Sequence, residues 1–365
     1  MAEDRVVFHI DFDYFFAQCE EIRTPDLKSK PVCVCVFSDR GGDSGAIATA
    51  NYIARKFGVK SGMPISFAKK KLEERTDSVF LPVDFDYYLE ISEKAMDIIK
   101  ESGDIFEYVG KDEAYLDVTC RVEGNFDKAS HLAQQIKNSI RDKVKLGCSI
   151  GISTNKLIAK IASDFRKPDG LTMVTPEKIE EFLEQLKIRA IPGIGKKTEE
   201  RFTQMNLETI KDLKRLDVFT LNKEFGRKHG TYMFNAAKGI DNEPVKERDA
   251  SIQYSKIVTL KKDSIDYNFL AENLSELCIE LHKVIQKNNK TFKSIGIQFI
   301  LSDLTNKTKT RMLKNPTSSL EELQKNAEQL LKEALEEQKN TVRRLGVKVS
   351  ELSEIRGQSN ITSYF

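Results

Sequence analysis

The chain has 365 residues, 40% hydrophobic and 31% charged, which is ample for a core but too long for one ordinary domain, so roughly two to four modules are expected. Its six cysteines (Cys19, Cys33, Cys35, Cys120, Cys148, Cys278) are scattered without a Cys-x-x-Cys pair, which argues against a disulfide framework and a zinc module. The net charge of +2 excludes nothing about DNA, since a basic surface can be offset by an acidic site. The N-terminus lacks a basic region followed by an apolar core, and no apolar run approaches membrane-spanning length, so a soluble, cytoplasmic protein is expected.

In chain order, Val6-Val7-Phe8-His9-Ile10 is a strand-forming run that ends in Asp11-Phe12-Asp13. Carboxylates at i and i+2 of a regular strand share a face, which is how a fold presents hard oxygen ligands to Mg²⁺. Tyr14, Phe15 and Phe16 follow and can wall a pocket beside the metal. Pro31 to Phe37 reads as a strand covered on both faces. Ala46 to Ala50 leads through small residues into a helix closed by Gly58, and helices are expected over Ile65 to Glu74 and Tyr87 to Glu101.

A strand over Ile105 to Val109 feeds Gly110-Lys111-Asp112-Glu113-Ala114-Tyr115-Leu116-Asp117. Asp112 and Glu113 are the carboxylates that would join Asp11, yet adjacent strand residues face opposite ways, so both can serve one site only at a bend or bulge. A helix near His131 to Lys145, a strand over Cys148 to Ile152 and a helix to Phe165 complete the first body, which the Lys167-Pro168-Asp169-Gly170 turn ends. From Glu177 to Gly239 the pattern is helical. Within it Ile191-Pro192-Gly193-Ile194-Gly195-Lys196 looks like a helix-hairpin-helix, whose helix start can accept a DNA phosphate, and Phe225 to Gly230 is a second glycine-flanked basic turn.

A polar stretch, 241–250, reads as a linker. Beyond it a β-α-β-β-α-β series (strands Tyr254 to Leu260, Ser294 to Ser302, Thr305 to Leu313 and Val342 to Leu352; helices Ile265 to Gln286 and Leu320 to Gln338) predicts a ferredoxin-like two-layer domain. Strand alternation places Lys307, Lys309 and Arg311 on one face, and sets Arg344 and Lys348 against the apolar Leu345, Val347 and Val349. Both read as phosphate-tracking stripes. The terminus carries two aromatics, Tyr364 and Phe365, in a polar context that favours their being bound.

Taken together, Asp11 to Ala17, Ala46 to Tyr52 with Ala54-Arg55, Asp112 to Asp117 and Gly151 to Lys156 resemble, in order and spacing, the Y-family translesion DNA polymerases of the DinB (polymerase IV) branch, archaeal type. The resemblance spans nearly the whole chain. It implies an α/β right-hand polymerase with palm (1–18 and 81–170), fingers (19–80), helical thumb (171–240), linker (241–250), little finger (251–354) and a clamp-binding tail (355–365). It further implies low-fidelity, template-directed synthesis by a monomer without proofreading, acting on primer-template DNA and dNTPs in the nucleoid.

Carried position by position, Asp11, Asp112, Glu113 and the backbone carbonyl of Phe12 match ligands of two Mg²⁺ ions, and Phe16 matches the steric gate against a ribose 2′-hydroxyl. Tyr14, Phe15, Phe16, Thr49, Tyr52, Arg55 and Lys167 match groups around the incoming nucleotide. Val36, Ala46, Ala48 and Gly62 match the roof over the replicating pair. Gln358, Ile361, Tyr364 and Phe365 match a sliding-clamp (PCNA) box, as an apolar plug on a short turn. Asp13 stays outside the ligand set and reads as a cap for the following turn.

Gly110-Lys111 departs from the family, which has Ser and an apolar residue there. Alternation turns Lys111 toward the helix-packed side, where a buried ammonium is costly unless it snorkels to an edge. Two rival readings are a haloacid-dehalogenase-type phosphohydrolase, which also opens with strand-Asp-x-Asp but lacks its downstream partners here, and a non-catalytic, clamp-tethered DNA-binding protein.

Overall fold

The computed structural model describes residues 5–247, 251–336 and 339–354. The chain divides into two compact units, Met1–Val36 with Ala46–Arg248 and Phe37–Gly45 with Asp249–Phe365. The first half runs β1 (Val7–Phe12), α1 (Phe15–Arg23), β2 (Val32–Phe37), β3 (Gly45–Ala50), α2 (Tyr52–Lys56), α3 (Ile65–Lys71), β4 (Val79–Pro82), α4 (Phe85–Glu101), β5 (Ile105–Tyr108), β6 (Glu113–Asp117), α5 (Phe126–Val144), β7 (Cys148–Ser153), α6 (Lys156–Phe165) and β8 (Leu171–Met173). Then come α7 (Ile179–Glu184), α8 (Lys196–Gln204), α9 (Ile210–Leu213), α10 (Val218–Phe225), α11 (Arg227–Ala237), β9 (Gln253–Ser264), α12 (Tyr267–Lys287), β10 (Lys290–Leu301), β11 (Asn306–Thr317), α13 (Leu320–Glu336), β12 (Val342–Ser350) and β13 (Ser353–Glu354). Among the described residues no helix is long and apolar enough to cross a membrane.

In the first unit, β1 lies at the centre of a five-stranded sheet ordered β5-β6-β1-β7-β8, antiparallel to β6 and β7. Its alternation decides both faces. Phe8, Ile10 and Phe12 join Ala114, Leu116, Ile150 and Ile152 in a core shared with Ile99 of α4 and Ile136 of α5. Each such large side chain contributes about 1.5–3 kcal/mol by burial. Val7, His9 and Asp11 take the opposite face, where α6 covers Val7 and His9. Gly151 of β7 permits that cover, because a Cβ there would overlap the carbonyl oxygen of Ala159 and the amide of Ser163 in α6. Along β1, Val7 and His9 are fully buried whereas Asp11 is half-buried.

A second sheet, β3-β2-β4, carries its own small core. As the sequence suggests, β2 is covered on both sides: Val32 and Val34 face the main core while Cys33 and Cys35 face Ile47, Ala50 and Ile65. Ala46 to Ala50 forms strand β3 rather than a helix lead-in, and α2 is correspondingly short, starting at Asn51, whose side chain accepts from Ala54 N, and closing before Gly58 at φ +80°. Strands β4 and β8 carry no period of their own, having four and three residues. The helices α7 to α11 enclose a separate core around Phe202, Ile191, Leu221 and Met233.

Residues 241–247, read from sequence as part of a linker, are docked on the first unit. Asp241 accepts from Leu157 N at 3.1 Å, Lys246 N donates to Glu107 at 3.0 Å, and Val245 is buried beside Val7 and Ala159. A single apolar residue in a charged run gives no period from which to read that docking.

In the second unit, β11-β10-β12-β9 form an antiparallel sheet in which each split β-α-β pair encloses one strand of the other, a ferredoxin-like layering. Helices α12 and α13 cover one face through Leu274, Leu281, Leu323 and Leu331 against Ile295, Ile297, Leu345 and Val347.

Candidate active site

The sheet pairs Asp11 with Glu113 on β6 and with Ser149 on β7 in direct register. Asp112 precedes the first residue of β6, in a bend anchored by Phe12 N donating to the Asp112 carbonyl at 2.8 Å. The alternation difficulty is thereby removed, since Asp112 is not a strand residue. Gly110 leaves the bend uncrowded, with 3.4 Å between a hypothetical Cβ and Asp112 Oδ1.

Two ammonium groups reach into these carboxylates. Lys160 Nζ lies 2.7 Å from Glu113 Oε2 and 3.8 Å from Asp11 Oδ2; Lys167 Nζ lies 2.6 Å from Asp11 Oδ1. Asp164 sits 2.8 Å from Lys167 and 3.8 Å from Lys160. Beneath Glu113, fully buried His9 brings Nε2 to 3.2 Å from Oε2, out of line for a hydrogen bond, while its Nδ1 is 2.7 Å from Ser163 Oγ. The neighbouring His9 and then Lys160 hold the Glu113 carboxyl down to about 2, against the effect of burial. Burial raises Asp11, with Lys167 pulling it back, and burial followed by the Glu113 charge raises Asp112. Burial works against the Lys167 charge, but Asp11 and Asp164 outweigh it and raise its pKa.

Hard carboxylate oxygens on a half-open cleft suit a hard divalent cation. Among the described residues no three His, Cys, Asp or Glu side chains converge into a closed ligand cage, because Glu113 is drawn to Lys160 and Asp11 to Lys167. The ammoniums balance the charge that a cation would neutralise.

The aromatics divide. Phe15 is buried in the core, so its side chain does not reach the cleft. Phe16 is half-buried, stacked on Tyr88 of α4 at 4.8 Å and 17°, with Phe85 edge-on at 5.9 Å. Tyr14 adopts φ +39°, donates to Glu21 at 3.2 Å and meets Tyr52 edge-to-face at 5.3 Å. Tyr52 and Arg55 lie on α2, with the guanidinium 4.8 Å over the Tyr52 ring and its Nε bonded to Ala50 O. Thr49 is half-buried on β3. Ala46 and Ala48 oppose Ile47 on β3, Gly62 N donates to Ile47 O at 2.7 Å with φ +81°, and Val36 is 45% exposed at the end of β2.

Lys111 is not a buried ammonium. It is half-buried along α4, with Nζ 4.7 Å over the exposed Phe85 ring and its carbonyl accepting from Ser92 Oγ. The snorkelled placement holds.

Asp13 does not cap its own turn. Its carboxylate accepts from Ser149 Oγ and from Asp169 N, both at 2.8 Å, while α1 begins with no side-chain cap.

Among the candidate DNA contacts, Gly193 has φ +84° and Gly195 caps α8, with Lys196 exposed at its first turn and buried Ile191 and Ile194 pinning the hairpin. The β11 stripe needs correction. Register sets Lys307, Lys309 and Arg311 opposite Phe299, Ile297 and Ile295, on the helix-covered side. There Arg311 pairs with Glu333 and Gln329 of α13, and Lys309 donates to the Glu333 carbonyl. Arg344 and Lys348, both half-buried, lie on the sheet face opposite α12 and α13, and Gly296 makes room for Lys348, whose Cε would be 2.7 Å from an added Cβ. Gln358, Ile361, Tyr364 and Phe365 lie outside the described residues.

Sequence reasoning missed Lys160, Asp164 and His9. A signal existed for the first two. Lys156, Lys160 and Asp164 recur every four residues through a helix whose only other polar residue is Ser163, which sets three charged side chains in one row. Lys156 bonds to Glu107 at 2.7 Å in the same row.

Residues 10–164 match the impB/mucB/samB family, 189–241 the thumb domain described as DNA polymerase-iota, and 251–362 the impB/mucB/samB C-terminal domain. A polymerase named DNA polymerase IV from Nitrosopumilus maritimus is 76% identical over 363 residues, covering 100% of each chain. Among solved structures, a Y-family polymerase chimera of Dbh and Dpo4 superimposes with a TM-score of 0.89 at 35% identity, over 96% of this chain and 99% of that one. An insertion ternary complex of Dbh DNA polymerase gives 0.69 at 36% identity, with the same coverage.

Proposed function

As this chain belongs to the archaeal DinB-type branch of the Y-family DNA polymerases, and is thereby a translesion DNA polymerase, we propose that it extends primers at the cleft around Asp11, Asp112 and Glu113 with two Mg²⁺ ions. The register pairing of Asp11 with Glu113, with Asp112 in the adjoining bend, is the observation that carries the reading. Bound there, the metals would lower the barrier to phosphoryl transfer by activating the primer 3′-hydroxyl and stabilising the leaving pyrophosphate.

The chain's own residues hold and select. Asp11, Asp112, Glu113 and the Phe12 carbonyl are the donors. Lys167 and Arg55 grip the triphosphate, with Tyr52 and Thr49 beside them, and Lys160 takes up charge at Glu113. Phe16, braced by Tyr88 and Phe85, stands where a ribose 2′-hydroxyl would fall. The small side chains Ala46 and Ala48, with Gly62 and Val36, roof the nascent pair and leave room for a damaged base. We assign palm to 1–18 and 81–170, fingers to 19–80, thumb to 171–240 and little finger to 251–354, and take 241–247 with the palm because of its bonds to Leu157 and Glu107. Gly193, Gly195, Lys196, Arg344 and Lys348 track the DNA backbone, and the tail from Gln358 to Phe365 engages a sliding clamp at the nucleoid.

Primer extension tests this reading. Asp112→Asn should abolish divalent-dependent extension while DNA binding persists. Phe16→Ala should raise ribonucleotide insertion by about tenfold to a hundredfold. Near-normal extension by the first variant removes the metal assignment, and unchanged sugar selection by the second removes the gate.

A further inference from the structure

The second carboxylate of the Asp11-Phe12-Asp13 motif has no place in the ligand set, yet it is one of the most expensive groups in the first unit to bury. Asp13 is 2% exposed. A buried carboxylate that only dipoles satisfy is a costly device for merely closing a turn. Each oxygen accepts one hydrogen bond: Oδ1 from Ser149 Oγ at 2.8 Å, and Oδ2 from the backbone N–H of Asp169 at 2.8 Å. Ser149 extends the grip, since its Oγ also accepts from Gly170 N at 3.1 Å. Asp13 and Ser149 therefore fix two successive amides of the turn that begins with Lys167.

The same turn is held from its other side. Buried Lys137 of α5 donates to the Gly170 carbonyl at 3.1 Å and lies 2.8 Å from Asp169 Oδ1, and Arg141 Nη2 donates to both Asp169 oxygens. Asp169 itself has φ +55°, a conformation that this clamp maintains. Lys167 lies two residues upstream, its ammonium 2.6 Å from Asp11. Alternate carboxylates of a single motif thus grip one turn twice, Asp11 by the Lys167 side chain and Asp13 by the backbone at Asp169.

We propose that Asp13 is a positioning residue for nucleotide binding, which acts through the Lys167 turn to place the Lys167 ammonium for the dNTP triphosphate. This rests on the reading of Lys167 as a triphosphate ligand. Asp13 touches neither metal nor nucleotide. Its loss releases the Asp169 amide and leaves the turn held by Ser149 and from the α5 side, so that the ammonium is less well placed before each binding event. The consequence falls on nucleotide affinity rather than on the chemical step.

The test compares Asp13→Ala, Asp13→Asn, Ser149→Ala, Lys167→Ala and the Asp13→Ala/Lys167→Ala pair in the full chain. KM and kcat for dNTP are read in primer extension, and the equilibrium dNTP Kd on a primer lacking its 3′-hydroxyl. Loss of a charge-assisted contact to phosphate should raise KM and Kd about tenfold in Lys167→Ala. Asp13→Ala should show a rise of the same order with kcat within about threefold, and the double variant should be no worse than Lys167→Ala. Asp13→Asn, the isosteric variant, keeps one acceptor and should lie between wild type and Lys167→Ala, as should Ser149→Ala, whose folding does not depend on the Asp13 carboxylate. The proposal is overturned if Lys167→Ala weakens dNTP binding while both Asp13→Asn and Ser149→Ala leave it unchanged, or if the Asp13→Ala and Lys167→Ala effects multiply. If Lys167→Ala itself leaves dNTP affinity unchanged, the triphosphate role of Lys167 fails and the proposal falls with it.

Discussion

Gly151→Ala probes the contact on which the cleft depends. The added Cβ would overlap the Ala159 carbonyl oxygen and the Ser163 amide, and lie 3.0 Å from the Ala159 carbonyl carbon. None of these neighbours is a flexible side chain. Restoring ordinary contact requires α6 to retreat from β7 on the order of 1 Å. Overpacking of this kind costs about 1–3 kcal/mol, measurable as a lower urea midpoint at unchanged slope. Lys160 lies between the two clashing positions, so the retreat also draws its ammonium from Glu113, now at 2.7 Å. A misplacement near 1 Å can cost about a hundredfold in rate, which single-turnover primer extension would read. A Gly151→Ala protein with wild-type midpoint and wild-type rate would refute the claim that this helix–sheet approach sets Lys160.

Charge in the cleft gives a second expectation, for the metal-free protein in a chelator. Asp112 has a raised pKa, so the folded state holds its proton more tightly, and stability falls as pH rises from the ordinary carboxylate range through the raised value. Asp112 is exposed at the cleft mouth, so the effect is small: Asp112→Asn should melt slightly above wild type at neutral pH and coincide with it in acid below pH 3.8; a lower melting point at pH 7 counts against the raised pKa. Glu113 runs the other way. Its pKa of about 2, against 4.5 when unfolded, contributes at most about 3 kcal/mol above pH 4.5, lost as pH falls toward 2. Glu113→Gln should be less stable than wild type at neutral pH, with a difference that closes over that window in acid denaturation curves. Lys111→Ile is expected to change stability by less than about 0.5 kcal/mol, because the ammonium rests on an exposed ring; a clear gain would mean that the charge is more buried than its contacts indicate. Finally, Arg344→Ala and Lys348→Ala should each lower the salt dependence of DNA binding by about one unit of slope, whereas Arg311→Ala should leave the slope unchanged, its guanidinium being held by Glu333. Equal slopes for all three would dismiss the sheet-face assignment.

Much of this protein follows from local pattern. Alternation in β1 and the run of β2 identify the strands, helical pattern identifies the long helices α4, α12, α13 and most of α5, whose start at Phe126 lies before the expected His131, and hard carboxylates after a strand identify a metal chemistry. These features depend on the spacing of a few neighbours, which the chain carries explicitly. What depends on partners far apart in sequence was not legible. Only the assembled sheet brings Asp11 opposite Glu113 and starts β6 directly after Asp112, which lets adjacent carboxylates serve one site. Only the register of β10 against β11 turns Lys309 and Arg311 toward α13, because period two says that residues share a face but not which face is covered. Asp13 is the sharpest case. Its sequence position makes it the twin of Asp11, and the partners that separate their roles, Ser149 and Asp169, are reached only when β7 and the turn after α6 close against β1.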